Sequence, residues 1–301
     1  MFEKLNAADR PARRLTACLA ALATLFAMSA ADAQIEAPGE PVAIPGLEIA
    51  DWGNVAQVSA RFGMPASTAA KVPAVLILHG SGGVDGRGAF YARALQDAGF
   101  ATLEITMFPP GSPPGPSVNL TMPHAAAALR WLAAQPRIDG QRLGAIGFSW
   151  GGQMAVMLSS EQVRQRLGKD VSAPAALVSL YPVCTNMRRF LQWDKHPMYK
   201  AHETMGTVPL LILVGTRDDT ESDPRACDTF LAMVPPAGQQ RITVRYLEGA
   251  THSFDNDKSF QYYDAMARAR QGATVNVVSS PKDAAEARDA AVAFFAGNLA
   301  R

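Results

Sequence analysis

RLGAIGFSWGGQMAVML, residues 142–158, runs from an apolar strand through a glycine-flanked serine into a helix-like segment. Within it, Gly147-Phe-Ser149-Trp-Gly151 matches G-x-S-x-G, the pattern of a sharp strand-to-helix turn that carries an exposed nucleophile. So tight a turn crowds the positions two residues before and two after the serine. Glycines at 147 and 151 relieve that crowding and leave the Ser149 hydroxyl free above the strand end.

The chain around this turn alternates between strand and helix patterns. Apolar runs at 74–78, 100–106, 143–148, 175–180, 210–214 and 242–247 read as strands. Runs that are apolar on both faces suit a parallel sheet covered by helices. Helical patterns fill 89–98, 123–134 (with Pro123 near the first turn), 152–167, 223–233 and 281–299, the last amphipathic. This alternation specifies an α/β fold with a mostly parallel, doubly wound sheet. Residues 42–61 alternate weakly and suit one or two edge strands. Two stretches break the rhythm: 107–122, rich in Pro and Gly, and 183–207, a long connection carrying Phe190, Trp193 and Tyr199. Both follow strand C-terminal ends, where open α/β sheets bind ligands, so they read either as a substrate rim and cap or as plain connections.

Composition narrows the function. The 301 residues are 48% apolar and 18% charged with a formal charge of +1, enough chain for a substantial core and no basic stripe for nucleic acid. Residues 1–33 combine a positive start (Lys4, Arg10, Arg13, Arg14), a short apolar stretch and Ala31-Asp32-Ala33. That is the pattern of a secretory signal peptide cut after Ala33, which leaves 34–301 as the mature domain, secreted or periplasmic. A membrane-anchoring helix needs a longer apolar run. Cleavage leaves 24 basic and 24 acidic groups and two cysteines, Cys184 and Cys227. An exported chain permits them to pair; the alternative is two buried thiols.

A serine hydroxyl needs a neighbouring base, itself oriented by a third group. Of five histidines, His252 stands in the loop EGATHSF after the last strand, whereas His79 ends a strand well before the serine and suits a loop-shaping role. The segment PLLILVGTRDD places Asp218 three residues past the glycine that ends a strand, with Asp219 as the alternative. The order Ser149, Asp218, His252 is the nucleophile–acid–base order of α/β-hydrolases. Oxyanion donors are expected from the amide of Trp150, the residue after the serine, and from the loop His79-Gly-Ser-Gly-Gly83, through Ser81 or Gly82. That loop is no phosphate cradle, because Asp85 stands where the last glycine of G-x-G-x-x-G belongs. No His or Cys cluster has metal-ligand spacing, so neither metal nor cofactor is expected.

HGSGG, GFSWGG, GTRDD and ATHSFD, in this order from about residue 42 to the C-terminus, resemble the dienelactone hydrolase family of α/β-hydrolases. The segments YPVC and DPRAC resemble those of exported members. The resemblance implies the α/β-hydrolase fold, the triad and cofactor independence. True dienelactone hydrolases carry cysteine in the elbow, where this chain has Ser149, and the departure points to a general ester or lactone hydrolase. The expected partner is therefore a small-molecule ester or lactone, with no nucleic acid and no stable membrane insertion; nothing in the sequence sets the oligomeric state. Rival readings are a peptidase or acyltransferase with the same triad, or a catalytically silent binding protein of the same fold.

Overall fold

The computed structural model describes residues 36–50, 52–108 and 117–299. The segment 1–33 expected as a signal peptide, and residues 109–116, half of the Pro-rich stretch 107–122, lie outside the described residues.

Among the described residues, ten strands and nine α-helices follow in chain order: β1 Glu40–Ile49, β2 Gly53–Gly63, β3 Val72–Leu78, α1 Arg87–Asp97, β4 Ala101–Thr106, α2 Val118–Ala133, β5 Ile138–Phe148, α3 Trp150–Met157, α4 Glu161–Leu167, β6 Ala176–Leu180, α5 Cys184–Gln192, β7 Leu210–Gly215, α6 Ala226–Leu231, α7 Pro236–Gln239, β8 Ile242–Leu247, β9 Phe260–Asp264, α8 Ala267–Arg270, β10 Ala273–Val277 and α9 Pro281–Leu299. Eight strands form one sheet in the order β1-β2-β4-β3-β5-β6-β7-β8. From β4 to β8 every pairing is parallel; β1 and β2 add an antiparallel edge.

The continuous apolar runs are explained by the pleat. In β3, Ala74, Leu76 and Leu78 face one core while Val75 and Ile77 face the other. In β7, Leu210, Ile212 and Val214 divide from Leu211 and Leu213 in the same way. Successive strand residues point to opposite faces, so a strand covered on both sides must be apolar throughout. The first core is closed by α2, α3, α5 and α6, the second by α1 and α9. Phe295 of α9 fits against Gly144 of β5, where a methyl group would come within 2.6 Å of its ring. Full burial of such a ring is worth about 2–3 kcal/mol.

Three local expectations differ from the structure. The helix expected at 123–134 begins at Val118, capped by Ser117 Oγ accepting from Leu120 N, so Pro123 sits inside it rather than near its first turn. The helix expected over 152–167 is two, because the buried hydroxyls of Ser159 and Ser160 bind Val156 O and Thr204 Oγ1 and break the run. The connection at 183–207 contains the helix α5, and residues 260–277 form a separate hairpin, β9–β10, that no sequence pattern announced.

Candidate active site

Chain topology brings the site together. The sheet order reverses around β3, with β4 on one side and β5 on the other, and ligands bind at such a switch point beyond the strand C-termini. The residue after β3 is His79, opening the glycine turn; the residue after β5 is Ser149. Leu78 pairs with Gly147, so the turn and the serine are neighbours by strand register. β7 and β8 pair in parallel further along, and the loops after them carry Asp218 and His252.

At the elbow, Ser149 has φ 50 and ψ −108 and its amide donates to Leu180 O at 2.9 Å. A methyl group on Gly147 would lie 2.0 Å from Gly151 O, and one on Gly151 would lie 2.1 Å from Leu78 O. Contacts that short exclude any side chain, so the two glycines are what allow α3 to start directly against β5 and β3. Ser149, Tyr181, Val183 and Ser253, all on this edge, have positive φ without being glycine. Strain of this kind costs about 1–3 kcal/mol per residue and persists where surrounding structure enforces it.

His252 lies between the other two groups. Its Nε2 is 3.0 Å from Ser149 Oγ and its Nδ1 is 2.7 Å from Asp218 Oδ2. Both His252 and Asp218 are buried. The second carboxylate oxygen of Asp218 accepts from the amide and hydroxyl of Thr220, which leaves Oδ2 directed at the imidazole. Asp219 points elsewhere: it accepts from Asn276 Nδ2 at 2.7 Å and from its amide at 3.1 Å, and it pairs with Arg268. Thr220 was not legible as part of the site; the only hint was a hydroxyl two residues past the acid.

The glycine turn is closed by the Gly83 amide donating to Gly80 O. His79 secures it: Nδ1–H donates to Gly80 O at 2.7 Å and Nε2 accepts from the Met107 amide at 2.9 Å. Burial lowers the His79 pKa to about 4, so the ring is neutral and can donate and accept at once. Its expected loop-shaping role matches these contacts. The amides of Ser81 and Trp150 have no protein partner among the described hydrogen bonds, and Trp150 stands at the N-terminus of α3, where backbone N–H groups favour negative charge. The Trp150 side chain turns away, with Nε1 donating to Thr121 Oγ1 at 3.2 Å.

Cys184 and Cys227 form a disulfide that ties α5 to α6. Beside it, Glu221 accepts from the amides of Cys184 and Thr185. This is the one grouping of potential metal donors among the described residues, and with both sulfurs in the disulfide it offers no thiolate to an ion. No helix among the described residues is long and apolar enough to cross a membrane.

Comparison with known proteins agrees with this architecture. Ethyl acetate hydrolase of Pseudomonas putida is 34% identical over 119 residues, a match covering 36% of this chain and 35% of that protein. The chain thus matches about a third of the length of this curated relative. Among solved structures, esterase 2 of Thermogutta terrifontis, phosphorylated by paraoxon, superposes with a TM-score of 0.62 at 19% identity, covering 88% of this chain and 97% of the other. Est1E from Butyrivibrio proteoclasticus superposes with a TM-score of 0.58 at 17% identity, covering 87% and 99%. At these identities the two structures speak to the fold. The model of the dienelactone hydrolase family matches residues 116–280, more than half of the chain and a span containing the serine, the acid and the base. The chain belongs to the dienelactone hydrolase family.

Proposed function

We infer that the chain is an exported serine hydrolase that cleaves a carboxylic ester or lactone through Ser149, His252 and Asp218. The observation that carries the reading is the pair of contacts on one imidazole, 3.0 Å to a hydroxyl and 2.7 Å to a carboxylate. Each group has the geometry its role requires. Nδ1–H donates to Asp218, which fixes the tautomer with a lone pair on Nε2 facing Ser149. As Ser149 Oγ attacks the substrate carbonyl, its proton passes to Nε2, and the buried carboxylate steadies the resulting imidazolium. The carbonyl oxygen becomes an oxyanion received by the Ser81 and Trp150 amides, which need no reorganisation because no group among the described residues accepts from them. The imidazolium then gives its proton to the departing alkoxide, leaving an acyl-enzyme. Water attacks the acyl carbon, loses a proton to His252, and the acid departs as Ser149 regains its hydrogen.

The relatives named ethyl acetate hydrolase and esterase support ester chemistry in particular, and serine in place of the elbow cysteine weighs against dienelactone as the substrate. Export rests on the signal-peptide pattern of residues 1–33, and the Cys184–Cys227 disulfide is compatible with it. Turnover of p-nitrophenyl acetate by residues 34–301 tests the function. Wild type is expected to turn over and Ser149→Ala to lose at least about a thousandfold in kcat. An undiminished Ser149→Ala variant would overturn the mechanism.

A further inference from the structure

One buried cation links the loops that carry the reacting groups. Arg87 opens α1, a few residues beyond the glycine turn, and its side chain is buried rather than directed to solvent. Nε and Nη2 donate to the carboxylate of Asp85, while Nη1 donates to Tyr181 Oη and to Ser253 Oγ, each at 2.9 Å. Tyr181 Oη donates to Asp255 Oδ1 at 2.6 Å, and Tyr91 Oη donates to Asp255 Oδ2 at 3.0 Å. The Tyr181 ring also packs edge-on against His252, with centroids 4.9 Å apart.

Two details tie this network to the reaction rather than to the core at large. A methyl group on Gly80 would lie 3.3 Å from Arg87 Nη2 and 3.6 Å from Ser149 Cβ, so guanidinium and nucleophile flank the same glycine. Ser253, next to His252, has φ 52, a conformation that a serine holds only under restraint. The bond from Arg87 to its hydroxyl supplies a restraint, and the path through Tyr181 to Asp255 supplies another two residues further on. One planar group therefore holds Asp85, two residues past the glycine turn, at one end and Ser253 of the histidine loop at the other, and lies beside Gly80 of the turn itself.

We propose that Arg87 is a positioning residue for the hydrolytic reaction, fixing the His252 loop relative to the turn that provides the oxyanion donor. The inference rests on the hydrolase reading above. A guanidinium suits the task because its donors are held in a rigid fork, whereas a lysine is a flexible point charge. Misplacing a reacting group by about 1 Å costs on the order of a hundredfold in rate, so a slack histidine loop lowers turnover without any loss of substrate contacts.

The test is ester turnover by wild type, Arg87→Met and Arg87→Lys, with active sites counted by fluorophosphonate titration. Expected is a fall of about 10–100-fold in kcat per active site with KM within about twofold, since the lost interaction serves the transition state. Lysine is expected not to restore it. A purely structural role lowers the melting temperature and the number of titratable sites but leaves kcat per site unchanged, and that result overturns the proposal. If Arg87→Met yields no folded protein, Ser253→Ala combined with Tyr181→Phe removes both acceptors of Nη1 and keeps the Arg87–Asp85 pair. The same fall is expected there, and unchanged kcat per site again overturns the proposal. Absence of turnover in wild type removes the hydrolase reading and this inference with it; turnover in wild type with undiminished variants removes this inference alone.

Discussion

Acidification should release the glycine turn through His79. The ring is 2% exposed, it bridges Gly80 O and the Met107 amide, and burial holds its pKa at about 4 against an ordinary 6.5. A folded pKa below the unfolded one means that the unfolded chain binds the extra proton between these values. The contribution of neutral His79 is therefore complete above about pH 6.5 and is lost as pH falls toward 4. The loss amounts to about 2 kcal/mol at pH 5 and about 3 kcal/mol at pH 4. Glu104 and Glu221, whose carboxyls burial pushes up to about 7, run the other way, because the folded state keeps protons that the unfolded state releases. The wild-type stability curve is a sum of these opposed slopes, so the decisive quantity is a difference between proteins. Urea unfolding of wild type and His79→Gln, each at pH 8 and pH 5, provides it. At pH 8 the variant should be weaker by about 1–3 kcal/mol, since the Met107 amide or the Gly80 carbonyl loses its partner in the interior. At pH 5 that gap should narrow by about 2 kcal/mol. A gap of equal size at both pH values would refute the claim that a neutral imidazole secures the turn.

Other consequences can be checked separately. Asp218→Asn should lower kcat by about 10³–10⁴-fold through the wrong imidazole tautomer, while Asp219→Asn, whose carboxylate binds Asn276 and Arg268 rather than the imidazole, should leave kcat near wild type; steady-state kinetics on an aryl ester separate the two. Gly151→Ala would put a methyl group 2.1 Å from Leu78 O and should cost about 3 kcal/mol or more, seen as a lowered melting temperature; an unaltered melt contradicts the packing at the elbow. Reducing Cys184–Cys227, 43 residues apart, should destabilise the chain by about 4 kcal/mol in chain-entropy terms, read from urea midpoints with and without reductant. Equal midpoints would show that the bridge contributes no stability.

What the sequence disclosed followed from the range of the forces involved. The elbow was legible because its glycines answer to contacts within one turn, and the parallel strands because burial on both faces leaves an uninterrupted apolar run. Asp218 and His252 could be chosen because strand ends in this topology converge on one edge, although the sequence left Asp218 against Asp219 open. The choice depended on the neighbours: Thr220 turns the first acid toward the imidazole, and Asn276, from a hairpin 57 residues away, binds the second. The hairpin carries no sequence signature, since its strands are five residues each and much of β9 is exposed. The break at Ser159–Ser160 was equally silent, because hydroxyls that interrupt a helix differ from tolerated ones only in their tertiary partners. Arg87 and Asp255 stood beside recognised motifs, yet their connection spans more than 160 residues and runs through Tyr181, so no local pattern could reveal it.

The central claim is that the Ser149 hydroxyl is made nucleophilic by His252. Its most direct test is the rate at which a fluorophosphonate adds to the intact protein, with the modified residue located by peptide mass mapping. The account predicts a single adduct on Ser149 and a second-order rate that falls by at least about a hundredfold in His252→Gln. An adduct on another residue, or a rate on Ser149 unaffected by loss of the imidazole, would contradict it.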